Sequence, residues 1–164
     1  MSWQPLNIDS ASAYARFVGE FQACTLPRPR WTHHAHLAVA LWYLDRWPPD
    51  EALARVRRDI RAYNESVGVA NTDATGYHET MTQLFMRGVL ACKRTAPAET
   101  LPGLLSSLLA SPLARSDWPL QFYSKQRLFS VAARHGWITP DRTQVPLPWS
   151  GADDAAFTRH EEFA

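Results

Sequence analysis

Along most of the chain, apolar residues recur every three or four positions, which is the spacing of helices with one buried face. The first such helix is predicted to follow a cap at Asp9 or Ser10, because both side chains accept hydrogen bonds from free backbone amides. Pro27 and Pro29 end it, since closely spaced prolines impose an extended connector. Its buried face is predicted to contain Tyr14, Phe17, Val18 and Phe21.

A second helix, from about His33 to Arg46 after a cap at Thr32, is apolar on nearly all sides. A helix without a polar face belongs in the interior, so we expect this helix to be the central and most buried one. The residues predicted to be buried in it are Leu37, Leu41, Trp42 and Leu44.

Three more helices are predicted between Asp50 and residue 110. The third helix runs from about Asp50 to Val67 and has a single apolar face. The fourth starts at a Thr75 cap and ends before Pro97, and a shorter fifth covers residues 100–110. Helices joined by short connections pack antiparallel to their neighbours, so the second, third and fourth are expected to run up, down and up.

The helical pattern weakens towards the C-terminus. One or two short helices are predicted in residues 118–135, with Gly136 ending them. Residues 138–149 contain three prolines and are expected to be extended, and residues 151–164 to form a mobile tail. The chain is therefore predicted to be an all-α, single-domain helical bundle (residues 1–150) of about five main helices, with an extended Pro-rich C-terminal segment.

Composition excludes several classes of protein. The balance of 46% hydrophobic and 20% charged residues is that of an ordinary globular domain, and a net charge of +1 provides no basic field for a nucleic acid. No apolar stretch is long enough for a bilayer and the first ten residues lack an export signal, so no membrane partner is expected. Cys24 and Cys92 have no zinc-finger spacing and are expected to be reduced thiols, which favours the cytoplasm. Whether the chain is a monomer or a homo-oligomer stays open.

The first candidate for chemistry is the string WTHHAHL at residues 31–37. On a helix, His33 and His36 are neighbours about 5–6 Å apart at Cβ, so both can reach one point, whereas His34 points elsewhere. Imidazole is a common ligand for zinc, iron and nickel. The alternative is a polar first helical turn whose histidines are simply exposed.

The second candidate is the string GYHETMT at residues 76–82, which places His78 in the predicted first turn of the fourth helix. With antiparallel neighbours, the first turns of the second and fourth helices lie at the same end of the bundle, so His78 joins His33 and His36. Helix N-termini also favour the neutral imidazole that a metal requires. Three histidines from two helices predict an open catalytic site for one divalent transition metal: zinc, iron or nickel.

Such a site needs a group that moves protons. Glu79 follows His78 directly and is the nearest candidate for a base acting on a metal-bound water. Tyr63 and Tyr77 are candidates for polarising a carbonyl or stabilising an oxyanion. The alternative is that Glu79 only complements the dipole of its helix.

The third candidate is the string FYSKQRLFS at residues 122–130. If the fifth helix returns the chain to the histidine end, Tyr123, Lys125 and Arg127 are predicted to donate hydrogen bonds to a carboxylate or phosphate. Asn64, at the end of the third helix, is predicted to reach the substrate as well. The alternative is an amphipathic segment with a solvated basic face.

Taken together, these three strings resemble a group of uncharacterised small bacterial helical proteins that share WTHxxHL and GYHExxT motifs. The resemblance covers most of residues 25–145 and implies an all-helical fold, but no reaction. A looser analogy is to DinB-like helical bundles, which hold a metal with three histidines. Their HxxxH spacing differs from the HxxH found here, so that analogy concerns the fold alone.

The sequence therefore favours a metal-dependent enzyme, most simply a hydrolase acting on a small molecule through three histidines, and the molecule is expected to be anionic if Lys125 and Arg127 reach the histidine end. A second hypothesis is a non-enzymatic small-molecule binding protein with an aromatic-lined pocket. A third is a structural interaction protein, which would need an exposed apolar patch. Metal content separates the first two hypotheses.

Overall fold

A computed structural model describes residues 5–96 and 100–142, and within these ranges the regular structure is entirely helical. This confirms the predicted all-α fold. Short 3₁₀ turns at Arg28–Arg30, Pro112–Ala114 and Trp118–Gln121 connect the longer elements. The α-helices are α1 (Ala11–Gln22), α2 (His33–Arg46), α3 (Pro49–Ser66), α4 (Glu79–Thr95), α5 (Leu101–Leu109), α6 (Lys125–Leu128) and α7 (Val131–His135).

Most of these helices begin where a hydroxyl side chain accepts a hydrogen bond from a backbone amide that has no helical partner. Ser10 caps α1 and Thr32 caps α2, which agrees with the predicted caps, and Thr100 caps α5. Ser124 and Ser130 do the same for α6 and α7. The short C-terminal helices are thus defined by local capping chemistry as well as by packing.

Helix α2 is central and packs against α3, α4 and α5. Leu37, Leu41 and Leu44 are buried as predicted. Trp42 differs, since it is only half-buried: its indole ring packs against Tyr14 and lies 3.2 Å beneath the guanidinium of Arg46. A large aromatic ring covered by an arginine stem does not need full burial to be shielded from water.

The start of α4 lies four residues beyond the predicted cap. Thr75 does not cap the helix, because its hydroxyl donates to the carbonyl of Ala70 within a loop. Gly76 follows with a φ of +77°, which breaks any helix there. The cap is His78, whose Nδ1 accepts a hydrogen bond from the backbone amide of Met81. His78 is therefore not in the first helical turn but just ahead of it.

Gly88 in the middle of α4 allows the segment after α5 to lie directly on the helix. A Cβ at this position would lie 2.3 Å from Leu113 Cδ2 and 3.0 Å from the indole of Trp118. Residues 112–118 consequently pack close to α4 and reach the beginning of α2. This contact brings the backbone carbonyls of Leu113 and Ala114 to His33 and His34.

At the C-terminal end, α7 ends at Gly136, as predicted. Residues 137–142 have no helical structure. The rest of the expected extended segment and the expected tail at 151–164 lie outside the described residues. Of the helices in residues 5–96 and 100–142, none has the length and apolar character that crossing a bilayer requires.

Candidate functional site

A cavity of about 490 Å³ lies between α2, α3 and α4, and we call it the histidine cavity. The first turns of α2 and α4 meet there with the second half of α3, as the antiparallel arrangement predicts. The loop between α3 and α4 closes one side. The lining residues are Trp31, His33, His36, Leu37, Ala40, Val56, Ile60, Asn64, Val69, Gly76, Tyr77, His78, Met81, Thr82, Phe85, Met86 and Ser116.

The lining of the histidine cavity contains no Asp, Glu, Lys or Arg in the part of the chain that the structure describes. Its walls are mostly aliphatic and aromatic, and the polar groups are imidazole, amide and hydroxyl groups. Binding pockets commonly combine apolar walls with a few placed polar groups in this way. The shape and chemistry of the cavity thus suit an uncharged organic molecule.

His36 has a fixed tautomer. Its Nδ1 lies 2.7 Å from the carbonyl oxygen of Thr32, and because a carbonyl can only accept, Nδ1 carries the hydrogen. The ring packs on the indole of Trp31, with 3.8 Å between their centroids. Burial lowers the pKa of His36 from 6.5 to about 4. At neutral pH the ring is therefore uncharged, and its Nε2 carries a lone pair.

His33 has the opposite tautomer. Its Nε2 donates to the carbonyl oxygen of Leu113 over 2.8 Å, so the hydrogen is on Nε2 and Nδ1 has the lone pair. Its ring packs against Phe85 at 4.7 Å between centroids. Burial lowers the pKa of His33 below its usual value, so this ring too is neutral at pH 7. The cavity therefore contains two imidazoles, each with one nitrogen that can accept.

His78 uses both of its nitrogens within the protein. Nδ1 accepts from the amide of Met81, and Nε2 donates to the carbonyl oxygen of Leu128 over 2.8 Å. Burial lowers its pKa as well. The ring thus caps α4 and anchors α6 to it, and binding a metal would require it to give up one of these hydrogen bonds.

His34 is not part of the lining of the cavity. Its Nε2 lies 3.2 Å from the carbonyl oxygen of Ala114. This position agrees with the helical geometry, which separates it from His33 and His36. It therefore provides a natural control for experiments on the other two histidines.

Glu79 belongs to a buried hydrogen-bonded cluster that we call the Glu79 network, formed with Arg57, Tyr77 and Gln83. Its carboxylate accepts from Arg57 Nε at 3.0 Å, from Arg57 Nη2, from the Tyr77 hydroxyl at 2.7 Å and from Gln83 Nε2 at 2.8 Å. Burial alone would raise the pKa of Glu79, but these hydrogen bonds outweigh it and lower the pKa. Glu79 is thus a fully partnered carboxylate and does not line the cavity.

The two predicted catalytic tyrosines have different positions. Tyr77 lines the cavity, but its hydroxyl donates to Glu79, and burial raises its pKa. Tyr63 is buried among Phe21 and Trp31, and its hydroxyl donates to the carbonyl oxygen of Leu26 over 2.9 Å. Tyr63 is not among the lining residues.

Of the predicted substrate-binding residues, the structure brings only Asn64 to the cavity. The α6 segment does return to the histidine end, because the carbonyl of Leu128 accepts from His78. However, Arg127 donates to the backbone carbonyl of Thr139 over 2.6 Å and Lys125 is exposed. The third residue of that group, Tyr123, is buried and donates to the carbonyl oxygen of Ile138.

Sequence reasoning missed several residues of the site. Trp31 directly precedes the cap of α2, a position that could have suggested a ring packed on the first turn. Arg57, the partner of Glu79, was one of several arginines on α3 with no distinguishing mark. The carbonyl of Leu113 carries no sequence signal, because every residue has one.

The available donor atoms determine whether the site can hold a metal ion. Within residues 5–96 and 100–142, no three His, Cys, Asp or Glu side chains come together as a group of ligands. His33 Nδ1 and His36 Nε2 each have a lone pair that accepts no hydrogen bond from the described residues, whereas the lone pair of His78 Nδ1 accepts from Met81. Comparisons with protein-family models, with curated proteins and with solved structures found no match to this chain.

Proposed function

We propose that this chain binds a small, uncharged organic molecule in the histidine cavity. The observation that carries this proposal is the lining itself: aliphatic and aromatic walls, three imidazoles whose pKa values burial lowers and, among the described residues, no charged side chain. A volume of about 490 Å³ lies within the range of small-molecule sites.

Charge argues against an anionic ligand in this cavity. A carboxylate or phosphate placed there would lose its hydration without gaining a cationic partner from the lining, which costs several kcal/mol or more. The nearby basic side chain of Arg57 is already paired with Glu79. An uncharged ligand avoids this cost and gains from burial of its apolar surface.

Two probes of equal ring size test the proposal. Anisole is uncharged, benzoate carries a carboxylate, and ligand-detected NMR titration measures the affinity of each for the full chain. We expect saturable binding of anisole and at least about tenfold weaker binding of benzoate. Equal or tighter binding of benzoate, or no binding of either, would contradict the proposal.

A cavity-filling variant locates the binding. Ala40 lines the cavity and is 5% exposed, so Ala40→Leu should remove most of the anisole affinity by occupying the space. Ala15 lies on the exposed side of α1, and Ala15→Leu is the matched control. Loss of binding in both variants, or in neither, would place the probe elsewhere.

A second candidate is the metal-dependent hydrolase that the sequence favours, and it is supported by His33, His36 and His78 lining one cavity. Nδ1 of His33 and Nε2 of His36 would hold the metal, and His78 would join them by giving up one of its hydrogen bonds. A bound divalent zinc, iron or nickel ion would supply a Lewis acid and an activated water. Glu79 is engaged by Arg57, so its role as a base stays a prediction.

Metal titration separates the two candidates. Calorimetric titration of untagged protein with zinc, iron(II) and nickel should show stoichiometric binding if the second candidate is correct. His36→Phe should then abolish binding while His34→Ala retains it. Absence of stoichiometric binding in the wild-type chain would leave the cavity as an organic binding site.

A further inference from the structure

We infer that the ligand of the histidine cavity is an uncharged phenol, a molecule with a hydroxyl group on an aromatic ring, and that this hydroxyl donates a hydrogen bond to Nε2 of His36. This inference rests on the proposed binding function and specifies its ligand class. It follows from three features: which cavity groups donate, which accept, and what forms the walls.

Several hydrogen-bond donors of the lining are already used within the protein. The hydroxyl of Tyr77 donates to Glu79, and that of Thr82 donates to the carbonyl oxygen of His78. His78 Nε2 donates to Leu128, and the amide nitrogen of Asn64 donates to Asn71. A ligand could accept these hydrogens only by breaking a bond within the protein.

The two imidazoles present the reverse situation. Backbone carbonyls fix the hydrogens on Nδ1 of His36 and on Nε2 of His33, so the remaining nitrogen of each ring can only accept while the ring is neutral. In the described part of the chain, neither of these remaining nitrogens accepts a hydrogen bond from the protein. A ligand that supplies a donor satisfies them, and a hydroxyl does so without adding charge.

His36 is the better placed of the two acceptors. Its Nδ1 bonds to the carbonyl of the preceding turn of its own helix, so Nε2 lies on the side of the ring away from that backbone. In His33 the distal nitrogen, Nε2, is already engaged by Leu113. The hydroxyl is therefore assigned to His36.

The walls favour an aromatic body for the ligand. The rings of Trp31, Tyr77 and Phe85 line the cavity, together with His36, which packs on Trp31. Aromatic rings gain from offset or edge-on packing with other rings beyond the burial of area alone. A phenol combines such a ring with one donor and is uncharged at neutral pH.

Phenol and anisole form the test pair, because they share the ring and differ in the hydroxyl hydrogen. In the wild-type chain, phenol should bind about fivefold tighter than anisole by NMR titration, although anisole is the more apolar molecule. Equal or tighter binding of anisole would overturn the inference while leaving the proposed binding function intact. Failure of both probes to bind would instead contradict the proposed function.

Variants assign the acceptor. His36→Phe keeps an aromatic ring beside Trp31 but lacks the lone pair, so the phenol-over-anisole preference should fall by about fivefold. His36→Gln presents an amide oxygen close to the place of Nε2 and should restore part of the preference, while His34→Ala should leave it unchanged. A loss confined to His33→Phe would overturn the assignment to His36, and the wild-type comparison needs no variant to fold.

Discussion

The histidine cavity and the Glu79 network adjoin each other at the start of α4 and share Tyr77, yet they differ in whether their polar groups have hydrogen-bond partners within the protein. In the network, a buried charge is matched by hydrogen bonds from three side chains, Arg57, Tyr77 and Gln83. In the cavity, no charged side chain lines the walls among the described residues, and two imidazole nitrogens keep lone pairs. The hydrogen bonds of the Glu79 carboxylate are all made within the protein, whereas the two imidazole nitrogens can accept a hydrogen bond only from a ligand or water.

The difference separates stability from function at this end of the molecule. A buried carboxylate is tolerated only when its partners replace the lost hydration, so removing a partner from the network should destabilise the fold. A neutral acceptor inside an apolar cavity costs less to leave open, and it gains when a donor arrives. Under the proposed function, the neutral residues of the cavity bind the ligand, while Arg57 and Glu79 bind each other.

The largest expected effect comes from breaking the network. Arg57→Leu leaves the Glu79 carboxylate buried without its cation, and we expect a loss of about 3 kcal/mol in the free energy of unfolding by urea denaturation. Arg58→Leu removes an exposed arginine from the same helix and should cost less than about 0.5 kcal/mol. Similar values for the two variants would show that the network does not stabilise the fold.

Acid should affect the two regions in different pH ranges. Burial lowers the pKa of His36 from 6.5 to about 4, so the unfolded chain binds a proton at this histidine at a higher pH than the folded chain does. The free energy of unfolding therefore decreases as the pH falls from 6.5 towards 4. This loss is on the order of 3 kcal/mol. The pKa of Glu79 is lowered from 4.5, so its contribution is retained above about pH 4.5 and is lost as the pH falls below that value.

Urea denaturation at a series of pH values measures these contributions. His36→Phe should flatten the decline between pH 6.5 and 4, whereas His34→Ala should leave more of it in place. An unchanged slope in His36→Phe would mean that this ring is not held neutral by its surroundings.

The smallest effect concerns the contact between Gly88 and Leu113, the residue whose carbonyl oxygen accepts a hydrogen bond from His33. Gly88→Ala adds a methyl group against Leu113, and the overpacking exceeds the gain in helix propensity, for a net loss of about 1 kcal/mol. Gly19 in α1 has open space around it, so Gly19→Ala should gain about 0.5–1 kcal/mol. An equal increase in stability for both variants by thermal unfolding would show that the segment after α5 moves away from the added methyl group without cost.

Much of the fold follows from local sequence rules, because capping and helical periodicity act over a few residues. Such rules alone predict the start of α2 after Thr32 and narrow the start of α1 to a cap at Asp9 or Ser10. The start of α4 does not follow, since threonine is a preferred cap and histidine is not, while the loop bond of Thr75 to Ala70 is a tertiary feature.

The meeting of His33, His36 and His78 at one cavity was accessible from the sequence, because antiparallel packing determines which helix ends adjoin. The hydrogen bonds of their nitrogens were not accessible. The second partner of His78 lies 50 residues away, and that of His33 lies 80 residues away. These contacts decide whether an imidazole can accept, donate or do neither, and no local pattern encodes them.

The same separation in sequence has a consequence for the order in which the site forms. The bond from His36 to Thr32 spans four residues, so that ring is oriented as soon as the first turn of α2 exists. The hydrogen bond from His33 to Leu113 can form only after residues 112–118 have packed on Gly88. Contacts between residues so far apart in sequence form late in folding. During synthesis, the ring of His36 can therefore be oriented early, whereas the ring of His33 can be fixed only after residues 112–118 have emerged from the ribosome.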